Sequence, residues 1–393
     1  MKEKIYFDHA ATTPVHPEVK KEMEPYFDNI YGNPSSIHSF GQDASRSITD
    51  AREKVAELIG AENEGNIIFT GGGTEADNLA IKGVGMALQD KGKHIITTSI
   101  EHHAVLETCE FMEKYYDFDI TYLPVDENGL VDPEEVRKAI KDDTILITIM
   151  MANNEIGTIE PIARIGEIAA EHDIYFHTDA VQAAGQVSID VNELNVDLLS
   201  LSAHKINGPK GVGCLYIRNG VKIVPQMSGG AQERDKRSGT ENVPGIIGMG
   251  KAAEIARENL EEKSKKLTEI RDYIIEKVEA NIDNVLLNGP RGDQRLPGNV
   301  NFCFEYVEGE SILLNLDGKG IAASSGSACT SGSLEPSHVL QAIGRPPEIA
   351  HGSLRISLGL NNDLEEAKYL IKELPDIIER LREMSALYEN SEL

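Results

Sequence analysis

A chain of 393 residues exceeds what one hydrophobic core usually supports, so one large and one smaller domain are expected. Its 38 basic and 65 acidic residues leave a net charge of −27, which repels phosphate backbones and anionic bilayers, so neither direct nucleic-acid binding nor membrane attachment is expected. No apolar run approaches bilayer length and residues 1–8 contain no signal-like apolar stretch, which points to a soluble, cytoplasmic protein.

Short apolar, β-branched runs recur at 66–70, 94–100, 120–125, 144–151, 174–178, 197–202 and 212–217. Helix-patterned segments at 76–89, 104–116, 133–139 and 162–172 alternate with them, the pattern of a mostly parallel seven-stranded α/β sheet covered on both faces. The connection through 208–211 is short enough for an antiparallel pair. Beyond residue 221 the pattern changes to a long charged helix over about 248–280, then strand-like 299–304, 321–324 and 353–358 with helices between. This predicts a large α/β domain over 16–250 and a smaller α+β domain over 251–393. Residues 1–15 are too short to be a domain, and pack against the smaller one or an oligomer partner.

Of the four cysteines, Cys109, Cys214 and Cys303 lie in apolar segments and read as core thiols. There is no CxxC pair and no zinc-ligand spacing, so neither a disulfide nor an intrinsic metal is expected. Cys329 is different: it sits in the small, polar run 322–333, which buries little and leaves the thiol accessible.

Ligands of open α/β sheets bind beyond the carboxyl ends of the strands, so the residues after each run matter together. After 197–202 comes Ser202-Ala203-His204-Lys205 entering a Gly/Pro turn, where a Schiff-base lysine carrying pyridoxal phosphate would sit. The Gly71-Gly72-Gly73-Thr74 turn after the first run lets backbone N–H groups approach a phosphate. His102 follows the second run and could stack on a pyridine ring; Asn154 offers a neutral amide to a phenolic oxygen. Asp179 ends the fifth run, where a buried carboxylate needs a partner such as a pyridinium nitrogen, although a helix N-cap role is equally compatible.

These residues carry a resemblance. Tyr6-Phe7-Asp8-His9-Ala10-Ala11-Thr12-Thr13-Pro14, Gly32-Asn33-Pro34-Ser35-Ser36, Gly73-Thr74-Glu75-Ala76-Asp77-Asn78, Asn153-Asn154-Glu155-Ile156-Gly157, Ser202-Ala203-His204-Lys205, Arg237-Ser238-Gly239-Thr240 and Ser324-Ser325-Gly326-Ser327-Ala328-Cys329 occur in one order over nearly the whole chain. In that order the chain resembles the cysteine desulfurases of the NifS/IscS type, in the class V aminotransferase group of fold-type-I pyridoxal phosphate enzymes. The resemblance implies that Lys205 binds the cofactor covalently and acts as acid and base. It implies that Gly73, Thr74, Ser202 and His204 bind the phosphate, with Thr240 supplied by the second subunit of a homodimer. His102 would stack on the ring and relay protons, Asn154 and Gln182 would bond the phenolic oxygen, and Asp179 the ring nitrogen. Arg355, assisted by Asn33, would bind the substrate carboxylate.

The implied reaction turns L-cysteine into L-alanine and leaves the sulfur as a persulfide on Cys329, for delivery to an iron–sulfur scaffold or another acceptor protein. Cys329 could also serve as an iron–sulfur ligand in a partner complex. Two departures stand out: Gly71 replaces a serine of many relatives, and the tail after Ser385 is shorter than the one by which some relatives dock a scaffold. Rival readings are a selenocysteine lyase or aminotransferase on the same fold, or a non-catalytic sulfur scaffold.

Overall fold

The computed structural model describes residues 4–325, 336–385 and 388. Strand β1 is Ile5–Tyr6, set apart from the main sheet. The seven apolar runs become β2 Ile67–Thr70, β3 His94–Thr98, β4 Asp119–Leu123, β5 Thr144–Thr148, β6 Tyr175–Asp179, β7 Leu198–Ser202 and β8 Gly213–Ile217. They join in the order β2-β8-β7-β6-β5-β3-β4. Neighbours are parallel except β8, which runs antiparallel to both β2 and β7, as the short 208–211 connection predicts. Asn207 and Gly211, both at positive φ, make that reversal.

Alternation along each strand sends side chains to two cores. Ile67 and Phe69 face one layer with Ile96, Ile147, Phe176 and Leu201, under the helices Ser39–Leu58, Ile162–Glu171 and Val243–Glu258. Ile68 faces the other with Ile95, Leu146, Leu198 and Leu215, under the helices Gly73–Leu88 and His103–Tyr116. Burial on both faces is why most strands read as continuous apolar runs. The edge strand β4 is less buried, with only Ile120 and Leu123 inside.

The remaining strands are β9 Val285–Leu287, β10 Asn299–Phe304, β11 Ile321–Ala322 and β12 Ser353–Ser357. β12, β10 and β9 form an antiparallel sheet in that order, and β11 pairs in parallel with β1. Ile5 and Phe7 thus enter a separate core with Phe302, Ile356, Leu370 and Ile377.

The single helix expected over about 248–280 is two helices, Val243–Glu258 and Leu260–Asn281, meeting at Asn259. Their partners explain the break. Ile246, Met249, Ala253 and Ala256 belong to the core of the large sheet, whereas Leu267, Ile270, Ile274 and Val278 belong to the second core. At the joint the Asn259 amide donates back to the Ile255 carbonyl at 2.8 Å. No glycine or proline marks the change, so periodicity alone runs through it. The helix Ser39–Leu58, to which the sequence reading assigned nothing, packs closely on Val243–Glu258: a Cβ on Gly250 would lie 2.6 Å from Ala51 Cα. No helix among the described residues is long and apolar enough to cross a membrane.

Candidate active site

The carboxyl ends of β2, β3, β5, β6 and β7 converge on a cavity of about 250 Å³. Gly73, Thr74, His102, Asn154, Asp179, Gln182, Ser202, His204, Lys205 and Arg355 all line it. A wider opening of about 820 Å³ shares Gly73, Thr74, Ser202 and His204 with it and adds Gly71, Gly72 and Lys210.

Each wall has a local cause. After β2 the glycine turn leads into the helix Gly73–Leu88, whose N-cap Gly72 offers no side-chain acceptor. Its first amides therefore lack the usual side-chain cap, beside Ser202 and His204. After β3, His102 caps the helix His103–Tyr116: its Nδ1 accepts from the Ala104 amide at 3.1 Å. That acceptor role puts the proton of the neutral ring on Nε2. After β5, buried Asn153 makes the turn that presents Asn154; its Oδ1 accepts from the amides of Glu155 (2.8 Å) and Ile156 (3.0 Å), and its Nδ2 donates to the Ile100 carbonyl (2.9 Å).

After β6, Asp179 Oδ1 accepts from the Val181 amide at 2.8 Å, and Gln182 Nε2 donates to the Ala10 carbonyl at 2.9 Å. After β7, the short turn Ala203–Lys205 brings Lys205 Nζ to the carbonyls of Ala10 and Ala11, the latter at 3.0 Å. His204 Nδ1 lies 3.1 Å from Thr12 Oγ1. Arg355 reaches in from β12 almost fully buried, donating from Nη1 to the Asn154 carbonyl and from Nη2 to Asp8 Oδ1, both at 3.1 Å.

Burial sets the charges. It lowers His102 to about 4, with Lys205 adding to the effect, and lowers His204 to about 4 with help from Lys205 and Lys210. Both imidazoles are neutral at physiological pH. Burial raises Asp179 to about 6 against the opposing pull of the Val181 amide and Lys205.

Two expected site residues are not brought to this cavity by their own chain. Asn33 is exposed, its Oδ1 accepting from the Ser35 amide at 2.9 Å, and Thr240 is exposed too; neither lines the cavity or its opening. Cys329 lies outside the described residues. Conversely, the sequence reading gave no role to Asp8, Ala10, Ala11, Asp77 or Met150, which line or brace the site. The run of small and polar residues after Phe7 was the available signal for the first three. Cys109, Cys214 and Cys303 are free and buried, as core thiols should be.

The donor set suits a phosphorylated cofactor with a basic ring nitrogen: amides without a side-chain cap, a buried carboxylate with no arginine partner among the described residues, and a lysine, all on one cavity. The sequence profile described as aminotransferase class-V matches residues 5–370. The chain belongs to that family. It is similar to a cysteine desulfurase IscS of Dictyoglomus turgidum, 59% identical over 385 residues that cover 98% of this chain and 97% of the relative. Among solved structures, a NifS-like protein superposes with TM-score 0.90 at 39% identity, covering 96% of this chain and all of that one. SspA in complex with cysteine gives TM-score 0.80 at 40% identity over 90% of this chain and 98% of that one. Within the family, then, the chain is of the NifS/IscS cysteine desulfurase type, and its sheet is the large sheet of that fold.

Proposed function

We propose that this chain is a pyridoxal phosphate-dependent cysteine desulfurase that converts L-cysteine to L-alanine and transfers the sulfur to Cys329. The observation that carries this reading is the convergence of Lys205, Asp179, His102, Arg355 and the uncapped helix N-terminus on one cavity. The names of the relatives, and the cysteine found with one structural neighbour, support the same substrate.

Lys205 would hold the cofactor covalently, Gly73, Thr74, Ser202 and His204 its phosphate, Asn154 and Gln182 its phenolic oxygen, and Asp179 its ring nitrogen. When bound, the cofactor supplies an aldehyde that captures the substrate amine and a ring that takes up electrons from the α-carbon. The substrate carboxylate binds the Arg355 guanidinium, whose planar fork suits it, with Asn33 assisting. Lys205 Nζ takes the α-proton. His102, neutral with its proton on Nε2, faces the same cavity and can give up that proton and recover one. The Cys329 thiolate then attacks the substrate sulfur and the carbon–sulfur bond breaks. The net change is thiol plus L-cysteine to persulfide plus L-alanine, with no external oxidant or reductant.

A homodimer belongs to this reading. Phe27, Tyr31, Ile37 and Phe40 are exposed by 67%, 65%, 95% and 52%, an apolar group that a second copy would cover. Thr240, exposed in its own chain, is then assigned to the partner's phosphate site. The smaller α+β domain begins, in this reading, at Asn259, where the helices change cores, and takes in the N-terminal segment through β1. Iron–sulfur cluster assembly is the proposed destination of the sulfur.

Mass spectrometry of the Cys329 peptide after incubation with L-cysteine tests the reading. A single added sulfur with stoichiometric L-alanine is expected. Alanine formation without sulfur on Cys329 would remove it.

A further inference from the structure

The sheet face under the helix Gly73–Leu88 carries a buried polar row among its apolar residues. Thr148 on β5, His177 on β6 and Ser200 on β7 have no exposed surface. The imidazole links them, Nδ1 to Thr148 Oγ1 at 2.8 Å and Nε2 to Ser200 Oγ at 3.0 Å. From the helix, Asp77 comes down on this row. It is 1% exposed, the Ser200 hydroxyl that holds His177 is close enough to favour its charged form, and its Oδ1 lies 3.7 Å from His177 Nε2 with no hydrogen-bond partner of its own. Asp77 also lines the cavity together with Asp179, which stands two residues along β6 from His177 and so on the same face.

Two carboxyl groups in one buried site do not both ionise readily. Lys205 and the Val181 amide favour the charge on Asp179. Burial disfavours it on Asp77, and the charge of Asp179 adds to that, so the Asp77 carboxyl is held well above the usual carboxylate range. His177, kept neutral by burial, does not compensate.

We propose that Asp77 is a positioning residue for Asp179: a neutral carboxylic acid seated on Ser200 and His177, it braces the cavity floor with a polar but uncharged group. The cavity floor thus keeps one negative charge, on the carboxylate assigned to the ring nitrogen. This rests on the pyridoxal phosphate reading above.

The test uses full-length holoenzyme and reads cofactor loss on dilution, the pH dependence of the bound cofactor's absorbance, and kcat and KM separately. Asp77→Asn preserves shape and neutrality, Asp77→Leu removes polarity, and Ser200→Ala removes the support of Asp77 from outside the cavity. Asp77→Leu and Ser200→Ala should release cofactor about tenfold faster and shift the absorbance titration, with kcat falling more than KM changes. Asp77→Asn should restore retention to within about threefold of the parent. Release from Asp77→Asn as fast as from Asp77→Leu overturns the proposal, because the ionisable group itself would then be required. Parent-like release and titration in both Asp77→Leu and Ser200→Ala overturn it too, leaving Asp77 a purely structural role. If Asp77→Leu does not fold, Asp77→Asn and Ser200→Ala decide. Asp179→Asn is the separate control: parent-like cofactor retention there removes the underlying cofactor reading, whatever the Asp77 variants do.

Discussion

Arg355 and Asp8 form an ion pair at 3.1 Å that ties the N-terminal segment to β12 across the cavity wall. The pair is reinforced by backbone contact, since the Ser357 amide donates to the Phe7 carbonyl at 2.7 Å. The Arg355 side chain is 2% exposed, and its buried Nε has no hydrogen-bond partner. A guanidinium fixed by Asp8 and the Asn154 carbonyl is already oriented before a substrate carboxylate arrives. Arg355→Ala removes a contact made in ground and transition states alike. KM for L-cysteine should rise with kcat little changed, the loss being about 1.5–3 kcal/mol, or roughly ten- to a hundredfold. Steady-state kinetics with an unchanged KM would reject the role.

Lys205 Nζ rests on the Ala10 and Ala11 carbonyls, which holds the amine at the centre of the cavity. Borohydride reduction of the holoenzyme should fix the cofactor to the Lys205 peptide, and Lys205→Ala should abolish that label. Labelling of another lysine in the parent protein, read by peptide mapping, contradicts the assignment.

The strand ends were legible in the sequence because they combine two local signals: a buried apolar run followed by a polar residue that needs a partner. His102, Asn154, Asp179 and Lys205 all belong to this class. Asp8, Ala10 and Ala11 were harder to read because their contribution depends on a segment that pairs with β11, more than 300 residues away, before crossing the site. Ala10 and Ala11 act through backbone carbonyls, which no residue type announces. The break at Asn259 was invisible for a related reason: the apolar pattern continues while its packing partner changes.

Glu101 shows how burial controls stability against pH. It is fully buried, accepts from Thr98 Oγ1 at 2.6 Å and from the Met150 amide at 3.0 and 3.1 Å, and burial raises its carboxyl to about 8. The folded state therefore retains a proton that the unfolded chain has released. Its stabilising contribution is complete below the ordinary carboxyl value of 4.5 and is lost as pH rises through about 8. His102 and His204 act in the opposite direction, losing stability only as pH falls from 6.5 toward about 4. Between pH 6.5 and 8 the carboxyl contribution dominates, and the melting temperature should fall with rising pH. Glu101→Gln should flatten that slope in calorimetry; an unaltered slope argues against a buried neutral Glu101.

Gly250 permits the close approach of the helices Ser39–Leu58 and Val243–Glu258, since any Cβ there would meet Ala51 backbone at 2.6 Å. Gly250→Val should destabilise the protein by about 1–3 kcal/mol or more through overpacking. Because this contact lies in the core beneath the large sheet, the change should appear in the unfolding midpoint and leave KM for L-cysteine unaltered. A midpoint equal to the parent's would mean that the helices separate without cost.

Cys329 provides the test that separates cofactor chemistry from sulfur transfer. Lys205, Asp179 and Arg355 are assembled around the cavity by strand ends and by β12, and their roles in holding cofactor and substrate require no thiol. Cys329→Ser should therefore retain bound cofactor and show an absorbance change with L-cysteine. A serine hydroxyl is a poor nucleophile toward sulfur at neutral pH, so the carbon–sulfur bond should remain intact in most turnovers. Alanine and persulfide formation should both collapse while substrate binding persists. Assays of alanine and sulfide with excess reductant measure this directly, because reductant removes persulfide from the parent enzyme and leaves the variant's defect exposed. Near-parent alanine and sulfide production by Cys329→Ser would show that a different group accepts the sulfur.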